Sequence, residues 1–181
     1  MEEVSPGIRV VALPSPTLYP ATHTNCYIIG NGLVSVVDPP SVETADVLAE
    51  RLKKGERPQR VILTHHHLDH TGGAMVLRQS YSIPVVAHSA TKSLLGGKVQ
   101  IDEEVADGAL LECGGRTMIA RHTPGHAPGH LILLDQQTKA LIAGDMVAGI
   151  GTVVIGAQHG DLGQYLASLD LMRNLKPSVL L

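Results

Sequence analysis

Short apolar runs recur along the chain and predict β-strands. Near the N-terminus they cover residues 8–13, 26–30 and 33–38, and the Asn31-Gly32 pair between the last two favours a hairpin turn, because both residue types tolerate a positive φ angle. Further strands are predicted at 60–64, 83–88, 116–122, 130–135 and 140–145, with a weaker one at 109–112 and a last apolar run at 178–181. The run at 60–64 is almost wholly apolar, as expected of a strand covered on both faces.

Apolar residues at helical spacing predict helices between these strands. The clearest covers residues 41–54, with Ser41 as the expected N-cap and Gly55 as the expected stop. Other helices are predicted at 73–80, 89–97 and 161–175. Strands come first and then alternate with helices, an order that fits an α/β fold with one mixed sheet or two.

Composition adds limits to this picture. A chain of 181 residues with 44% hydrophobic content predicts one domain over residues 1–181, with an aliphatic core because Phe and Trp are absent. The net charge of -3 gives no general attraction to nucleic acid. The acidic N-terminus does not resemble a signal peptide, and no apolar stretch is long enough to span a bilayer, so a cytoplasmic location is expected. Cys26 and Cys113 are expected to be small buried side chains.

The segment THHHLDHTGG (64–73) follows the apolar strand and concentrates metal-ligating side chains. In an extended chain His65, His67 and Asp69 leave on the same side, whereas His70 points elsewhere. Neutral imidazole binds zinc, iron or nickel, and a carboxylate beside it supports a second ion or orients water. The segment therefore predicts a metal site, with Asp69 and His70 available to a second ion.

Two later segments offer the further ligands that such a site requires. His126 lies on a Pro-Gly turn within HTPGHAPGH (122–130), and Asp145 follows a strand within AGDMV (143–147). Alone, each would be an ordinary turn histidine or helix-capping aspartate. Together with the histidine segment they predict a site in which Asp145 bridges two cations. Four other histidines show no partner pattern and are expected at the surface or in supporting positions: His23, His88, His122 and His159.

These motifs resemble those of the metallo-β-lactamase superfamily. The H-x-H-x-D-H motif corresponds to His65, His67, Asp69 and His70, while TNCYIIG, VVDPP, TPGHAPGH and AGDMV resemble further family segments in the same order. The resemblance implies a four-layer αββα sandwich with two mixed sheets. It implies that His65, His67 and His126 hold the first metal ion, that Asp69 and His70 hold the second, and that Asp145 bridges them. Asp38 and His130 match supporting positions, although Pro39-Pro40 replaces the more usual Thr-Gly.

One departure from the family concerns the end of the chain. The family's last ligand is a histidine in a Pro-Gly-His motif after a final short strand, and this sequence stops at PSVLL, where that motif would begin. Two interpretations stay open. The sequence is a fragment that lacks its C-terminal part, or Asp69, His70, Asp145 and water alone hold the second ion. We expect a fragment, since a chain that ends on apolar residues in a core strand is an unusual natural terminus.

The resemblance implies a metal-dependent hydrolase with two zinc ions, iron or manganese being the other candidates. The metal-bound hydroxide would attack an ester, thioester, amide or phosphodiester, and Asp69, the expected catalytic residue, would orient it and pass its proton on. GDMVAGIGTVVIG resembles a branch that includes a mitochondrial endoribonuclease, which makes single-stranded RNA a substrate candidate beside small molecules, although base-stacking Phe and Trp are absent. TPGHAPGH also resembles glyoxalase II, a thioester hydrolase.

Two other classes of function remain open at this point. In the persulfide dioxygenase branch one iron is held at the positions of His65, His126 and Asp145, and iron content with oxygen consumption would reveal it. A non-enzymatic metal-binding scaffold is the other alternative. The sequence leaves the oligomeric state undetermined.

Overall fold

Two mixed β-sheets pack face to face in the computed structural model, which describes residues 1–181. In spatial order the first sheet contains β1 (Glu2–Ser5), β2 (Ile8–Pro14), β3 (His23–Ile29), β4 (Leu33–Val37), β5 (Arg57–Ile62), β6 (Val85–Ala87) and β7 (Glu103–Glu104). The second contains β12 (Val179–Leu180), β11 (Ala140–Ile142), β10 (Leu131–Asp135), β9 (Thr117–His122) and β8 (Leu110–Glu112). The helices are α1 (Thr44–Arg51), α2 (Leu68–Thr71), α3 (Ala74–Tyr81), α4 (Ser89–Leu95) and α5 (Leu162–Asn174).

Both sheets combine antiparallel and parallel pairs. Strands β1 to β4 are antiparallel and β4 to β7 are parallel, whereas the second sheet is antiparallel except where β12 joins β11. The predicted hairpin joins β3 to β4, and Gly32 in its turn has a φ of 70°. Parallel strands end together at one edge of a sheet, so the loops that follow them meet there.

Three apolar clusters separate four layers. Along β3, Cys26 and Ile28 belong to the cluster between the first sheet and α1, α3 and α4, whereas Tyr27 and Ile29 belong to the cluster between the two sheets. This alternation follows from the period of two in a strand. A smaller cluster, which contains Met172, packs α5 on the outer face of the second sheet. The αββα sandwich with two mixed sheets is therefore confirmed.

Several local predictions need correction. Helix α1 begins at Thr44 rather than after Ser41, because residues 41–44 form a turn in which the Ser41 carbonyl accepts from the Thr44 N–H at 3.2 Å. The segment 64–73 is not extended throughout, since α2 begins at Leu68. The short edge strands β1 and β7 were not predicted. Both cysteines are buried, as expected. No helix has both the length and the apolar character needed to cross a membrane.

Candidate metal centre

Loops from both sheets meet at one edge of the sandwich and carry the predicted ligands. His65 and His67 follow β5, His126 lies between β9 and β10, and Asp145 lies in a 3-10 turn after β11. The Leu131 N–H of β10 donates to the Thr64 carbonyl at 2.9 Å and so joins the two sheets beside the cluster. Residues far apart in sequence are brought together because each follows the end of a strand.

Three imidazole nitrogens and one carboxylate oxygen converge within this cluster. His67 Nδ1 lies 3.0 Å from His65 Nε2 and 3.0 Å from His126 Nε2. Asp145 Oδ2 lies 3.4 Å from His126 Nε2 and 3.8 Å from His65 Nε2. One donor atom from each of these four residues lies within 4.8 Å of the others, a spacing suited to one metal ion.

A second group of donors lies on the other side of the same carboxylate. His70 Nε2 is 3.1 Å from Asp145 Oδ1 and 4.0 Å from Asp69 Oδ2. The expectation that His70 points elsewhere is wrong, because α2 begins at Leu68 and its helical turn directs His70 toward Asp145. The two oxygens of Asp145 thus face two different donor groups.

Hydrogen bonds fix which nitrogen of His65 and His126 carries the proton. The Thr64 hydroxyl donates to Asp38 Oδ2 at 2.6 Å, so its oxygen accepts from His65 Nδ1–H at 3.0 Å. His126 Nδ1–H donates to the Val154 carbonyl at 2.9 Å. In the neutral tautomer that these hydrogen bonds select, the lone pair of each residue lies on Nε2 and faces His67, which is the arrangement that coordinates a metal ion.

The carboxylate of Asp38 lies beneath the donors and accepts three hydrogen bonds. They come from the Thr64 N–H at 2.7 Å, from the Thr64 hydroxyl and from His70 Nδ1–H at 2.8 Å. Asp38 is 2% exposed and has a φ of 50°, a left-handed conformation that aspartate tolerates better than most residues. It thereby orients His70 and, through Thr64, His65.

His130 holds the main chain of Asp145 in place through a hydrogen bond. Its Nε2 accepts from the Asp145 N–H at 3.1 Å, so its Nδ1–H donates to Thr123 Oγ1 at 3.0 Å. A Cβ atom at Gly144, whose φ is 51°, would lie 2.7 Å from His130 Nε2. A side chain at position 144 would therefore disturb the hydrogen bond that sets the position of Asp145.

Burial and charge divide the histidines into two protonation classes. Burial, reinforced by neighbouring histidines, holds the pKa of His65 well below its ordinary value, and burial lowers the pKa of His130 to about 3. Burial alone would lower the pKa of His70 too, but the carboxylates of Asp38 and Asp145 outweigh it and raise that pKa. Burial would raise the pKa of Asp145, yet the hydrogen bond from His70 and the nearby histidines lower it. His65 is thus neutral, as a ligand must be, whereas His70 holds a proton on Nε2 that a metal ion bound there would displace.

The donor set fits a transition-metal ion. Three imidazole nitrogens and a carboxylate oxygen converge from loops whose own hydrogen bonds hold them in place, and zinc, iron and manganese all accept such ligands. The tautomers of His65 and His126 are those required for coordination through Nε2.

A cleft of about 1010 Å³ opens over these donors. Its floor includes His67, Asp69 and Asp145, and its walls are the loop between β2 and β3 and the segment after Asp145. The two walls meet where Gly151 faces Pro20, 3.2 Å from the place of a Cβ atom.

The structure also groups residues that sequence reasoning missed. Thr64 and the Val154 carbonyl fix the two tautomers, but a threonine and a main-chain carbonyl carry no sequence signal of their own. His88 and His122 stack with ring centroids 4.1 Å apart, and the rings of His66 and His159 lie 5.4 Å apart. These pairs come from distant parts of the chain, so only the fold reveals them.

An αββα sandwich with a histidine and aspartate cluster at the shared sheet edge defines the class of metallo-β-lactamase-type folds. The sequence profile of the metallo-beta-lactamase superfamily matches residues 19–181, and the chain belongs to that superfamily. A metallo-beta-lactamase family protein from Thermus thermophilus superposes with a TM-score of 0.82 at 23% identity, covering 99% of this chain and 73% of that one.

Several curated relatives carry names that describe an activity. The chain is 30% identical to an atrochrysone carboxyl ACP thioesterase of Claviceps purpurea, over 95% of this chain and 54% of the relative. It is 35% identical to a hydroxyacylglutathione hydrolase of Rhodopseudomonas palustris, over 66% of this chain and 45% of the relative. The chain spans about half the length of the curated relatives it matches.

Proposed function

We propose that this protein is a metal-dependent hydrolase that cleaves thioesters. The observation that carries the proposal is the convergence of His65 Nε2, His67 Nδ1, His126 Nε2 and Asp145 Oδ2, the last three of which belong to residues that line the cleft. Such a cluster requires no serine, cysteine or lysine nucleophile, because a bound metal ion activates water and polarises a scissile carbonyl.

The choice of thioesters rests on the relatives. One is named a thioesterase for a carboxyl group carried on an acyl carrier protein, and the other is named for hydrolysis of a hydroxyacylglutathione. Both names describe an acyl group on sulfur. This shared chemistry supports a thioester before an amide, a lactam or a phosphodiester.

The residues have distinct proposed roles. His65, His67, His126 and Asp145 would hold one zinc ion, and Asp145 with Asp69 and His70 would hold a second. Iron and manganese are the alternatives for these donors. Asp69 Oδ2 would orient the attacking water and accept its proton. Asp38 and His130 would keep His70 and Asp145 in place, since outer hydrogen bonds orient ligands and strengthen metal binding. We propose that residues 1–181 act as one domain.

Metal content and thioester hydrolysis, measured on the same preparation, test the proposal. Mass spectrometry should find zinc in the purified chain, and the chain should hydrolyse an S-acyl-pantetheine and S-lactoylglutathione. Asp145→Asn should lose both metal and hydrolysis, whereas Asp170→Asn, a matched change at a 67% exposed carboxylate on α5, should keep both.

Other substrates and metals supply the refuting outcomes. Cleavage of a single-stranded oligoribonucleotide or a chromogenic cephalosporin, without thioester hydrolysis, would contradict the choice of thioesters. A single iron with oxygen consumption on a persulfide would replace hydrolysis with oxidation. Metal-free chain that cannot be loaded with zinc, iron or manganese would remove the basis of the proposal.

A further inference from the structure

The cleft over the donor cluster is lined in part by exposed aliphatic side chains. Several of the exposed large hydrophobic residues line it, and these are Leu18, Leu68, Val147, Ile150, Val154 and Leu180. Leu18 and Ile150 are each 67% exposed. An apolar surface of this kind, gathered around one concave site, is typical of a ligand-binding groove.

These side chains form two walls that flank the donors. Leu18 lies near the tip of the loop between β2 and β3, which is closed by hydrogen bonds from the Ser15 N–H to the Thr22 carbonyl and from the Ala21 N–H to the Leu18 carbonyl. Ile150 lies on the segment that follows Asp145. A group attached to an atom reacting above His67 and Asp145 therefore has apolar surface along both of these loops.

The charged groups of the cleft restrict which kinds of ligand it can bind. Its titratable lining residues are carboxylates and histidines, apart from the phenol of Tyr27: Asp38, Asp69, Asp145, His23, His67, His70, His126 and His159. Away from the donors, the walls are formed mainly by aliphatic, proline, glycine and uncharged polar residues. Burying a carboxylate on such a wall without a cationic partner is unfavourable, whereas burying methylene groups there is favourable.

We propose that the cleft selects thioesters whose acyl group is uncharged and apolar, held between Leu18 and Ile150. This inference rests on the proposed thioesterase activity and specifies its substrate class. The acyl chain lies along the two walls, and its carbonyl lies over the donor cluster. Each methylene buried there improves binding by up to about fourfold until the walls are covered.

Binding of uncleavable analogues tests this preference apart from catalysis. The probes are S-alkyl thioethers of N-acetylcysteamine with ethyl, butyl, hexyl and octyl chains, together with a hexyl analogue that ends in a carboxylate. Isothermal titration calorimetry on the zinc-loaded chain should show affinity rising with chain length and at least tenfold weaker binding of the carboxylate analogue. Affinity that stays flat along the series, or equal binding of the carboxylate analogue, would overturn the inference.

Variants of the two walls locate the binding surface. Ile150→Ser and Leu18→Ser should each reduce, several-fold, the gain in affinity from the butyl to the octyl analogue. Leu110→Ser, which changes a 60% exposed leucine on β8 outside the cleft, should leave the gain as it is. An equal loss in all three variants, or in none, would contradict the assignment to these walls.

Hydrolysis of the matching S-acyl thioesters then separates the two proposals. Rates that rise with chain length support both. Length-dependent binding without hydrolysis of any thioester by the zinc-loaded chain would refute the proposed activity and leave the apolar preference standing. Hydrolysis of acetyl and succinyl thioesters as fast as octanoyl would refute the preference and leave the activity standing.

Discussion

Removal of the Asp38 carboxylate offers a direct test of the hydrogen bonds beneath the donor cluster. In Asp38→Ala the Thr64 N–H, the Thr64 hydroxyl and His70 Nδ1–H lose their acceptor. The hydroxyl can rotate toward His65 Nδ1, but the other two donors have no alternative, and Thr64 and His70 are 0% and 5% exposed. A buried donor without a partner costs about 1–3 kcal/mol, so the two donors together cost about 2–6 kcal/mol. The φ of 50° adds a further penalty of about 1 kcal/mol for alanine.

Asp38→Asn separates charge from shape. Asparagine tolerates the left-handed conformation and keeps one oxygen for the Thr64 N–H, but its NH₂ group cannot accept from His70. We therefore expect about half of the loss seen with alanine. In both variants zinc affinity should fall about 10- to 100-fold, because His70 and His65 lose their orientation.

Urea unfolding followed by far-ultraviolet circular dichroism measures the stability, and competition with a chromophoric chelator measures the zinc affinity. Asp170→Ala is the control, because its carboxylate is 67% exposed and its loss should change stability by less than about 0.5 kcal/mol. The free energy of unfolding of Asp38→Ala should differ from that of the wild type by more than this margin. If it does not, or if the variant binds zinc equally well, then the hydrogen bonds of Asp38 do not support the cluster as we infer.

Three further predictions concern other parts of the molecule. Gly144→Ala should weaken zinc binding more than Gly32→Ala, since both have a positive φ but only Gly144 faces His130 at 2.7 Å; equal affinities would show that backbone strain alone matters. Hydrogen bonds from Arg78 lower the pKa of Asp102 to about 2, so its contribution to stability is complete above the ordinary value of 3.8 and is lost as the pH falls through about 2. The urea midpoint of Asp102→Asn should therefore lie below the wild type at pH 6 and converge with it toward pH 2, and a constant difference would contradict this origin. Both cysteines are buried, so a thiol reagent should react rapidly only after unfolding, and fast labelling of the native chain would contradict that burial.

The sequence predicts most of the strands and helices, because burial of one or both faces imposes a regular spacing on their apolar residues. The residues of β3 alternate between two cores, and the strand predicted at 60–64 is present as β5, although it begins earlier, at Arg57, and ends at Ile62. Short elements are less predictable. Edge strands such as β7 have too few residues for a pattern, and the start of α1 is set by a turn at Ser41 that capping preferences alone do not predict.

The candidate site is predictable in its donors but not in their surroundings. The spacing of His65 and His67 in an extended loop is visible in the sequence, as are strand-end residues such as Asp145. The direction of His70 depends on a helical turn that the histidine pattern hides. The hydrogen bond from His126 to the Val154 carbonyl joins segments 28 residues apart, and no local pattern encodes it.

The donors come from two different sheets, and metal binding by the proposed site would therefore depend on the folding of both. His67 lies after a strand of the first sheet and His126 between strands of the second, 59 residues later. A folding intermediate with only one sheet formed would hold only part of the cluster and bind an ion weakly. Tight metal binding would therefore report that both halves have folded and docked, and it would stabilise their association by mass action. The ion would find its complete set of ligands only in a correctly assembled sandwich.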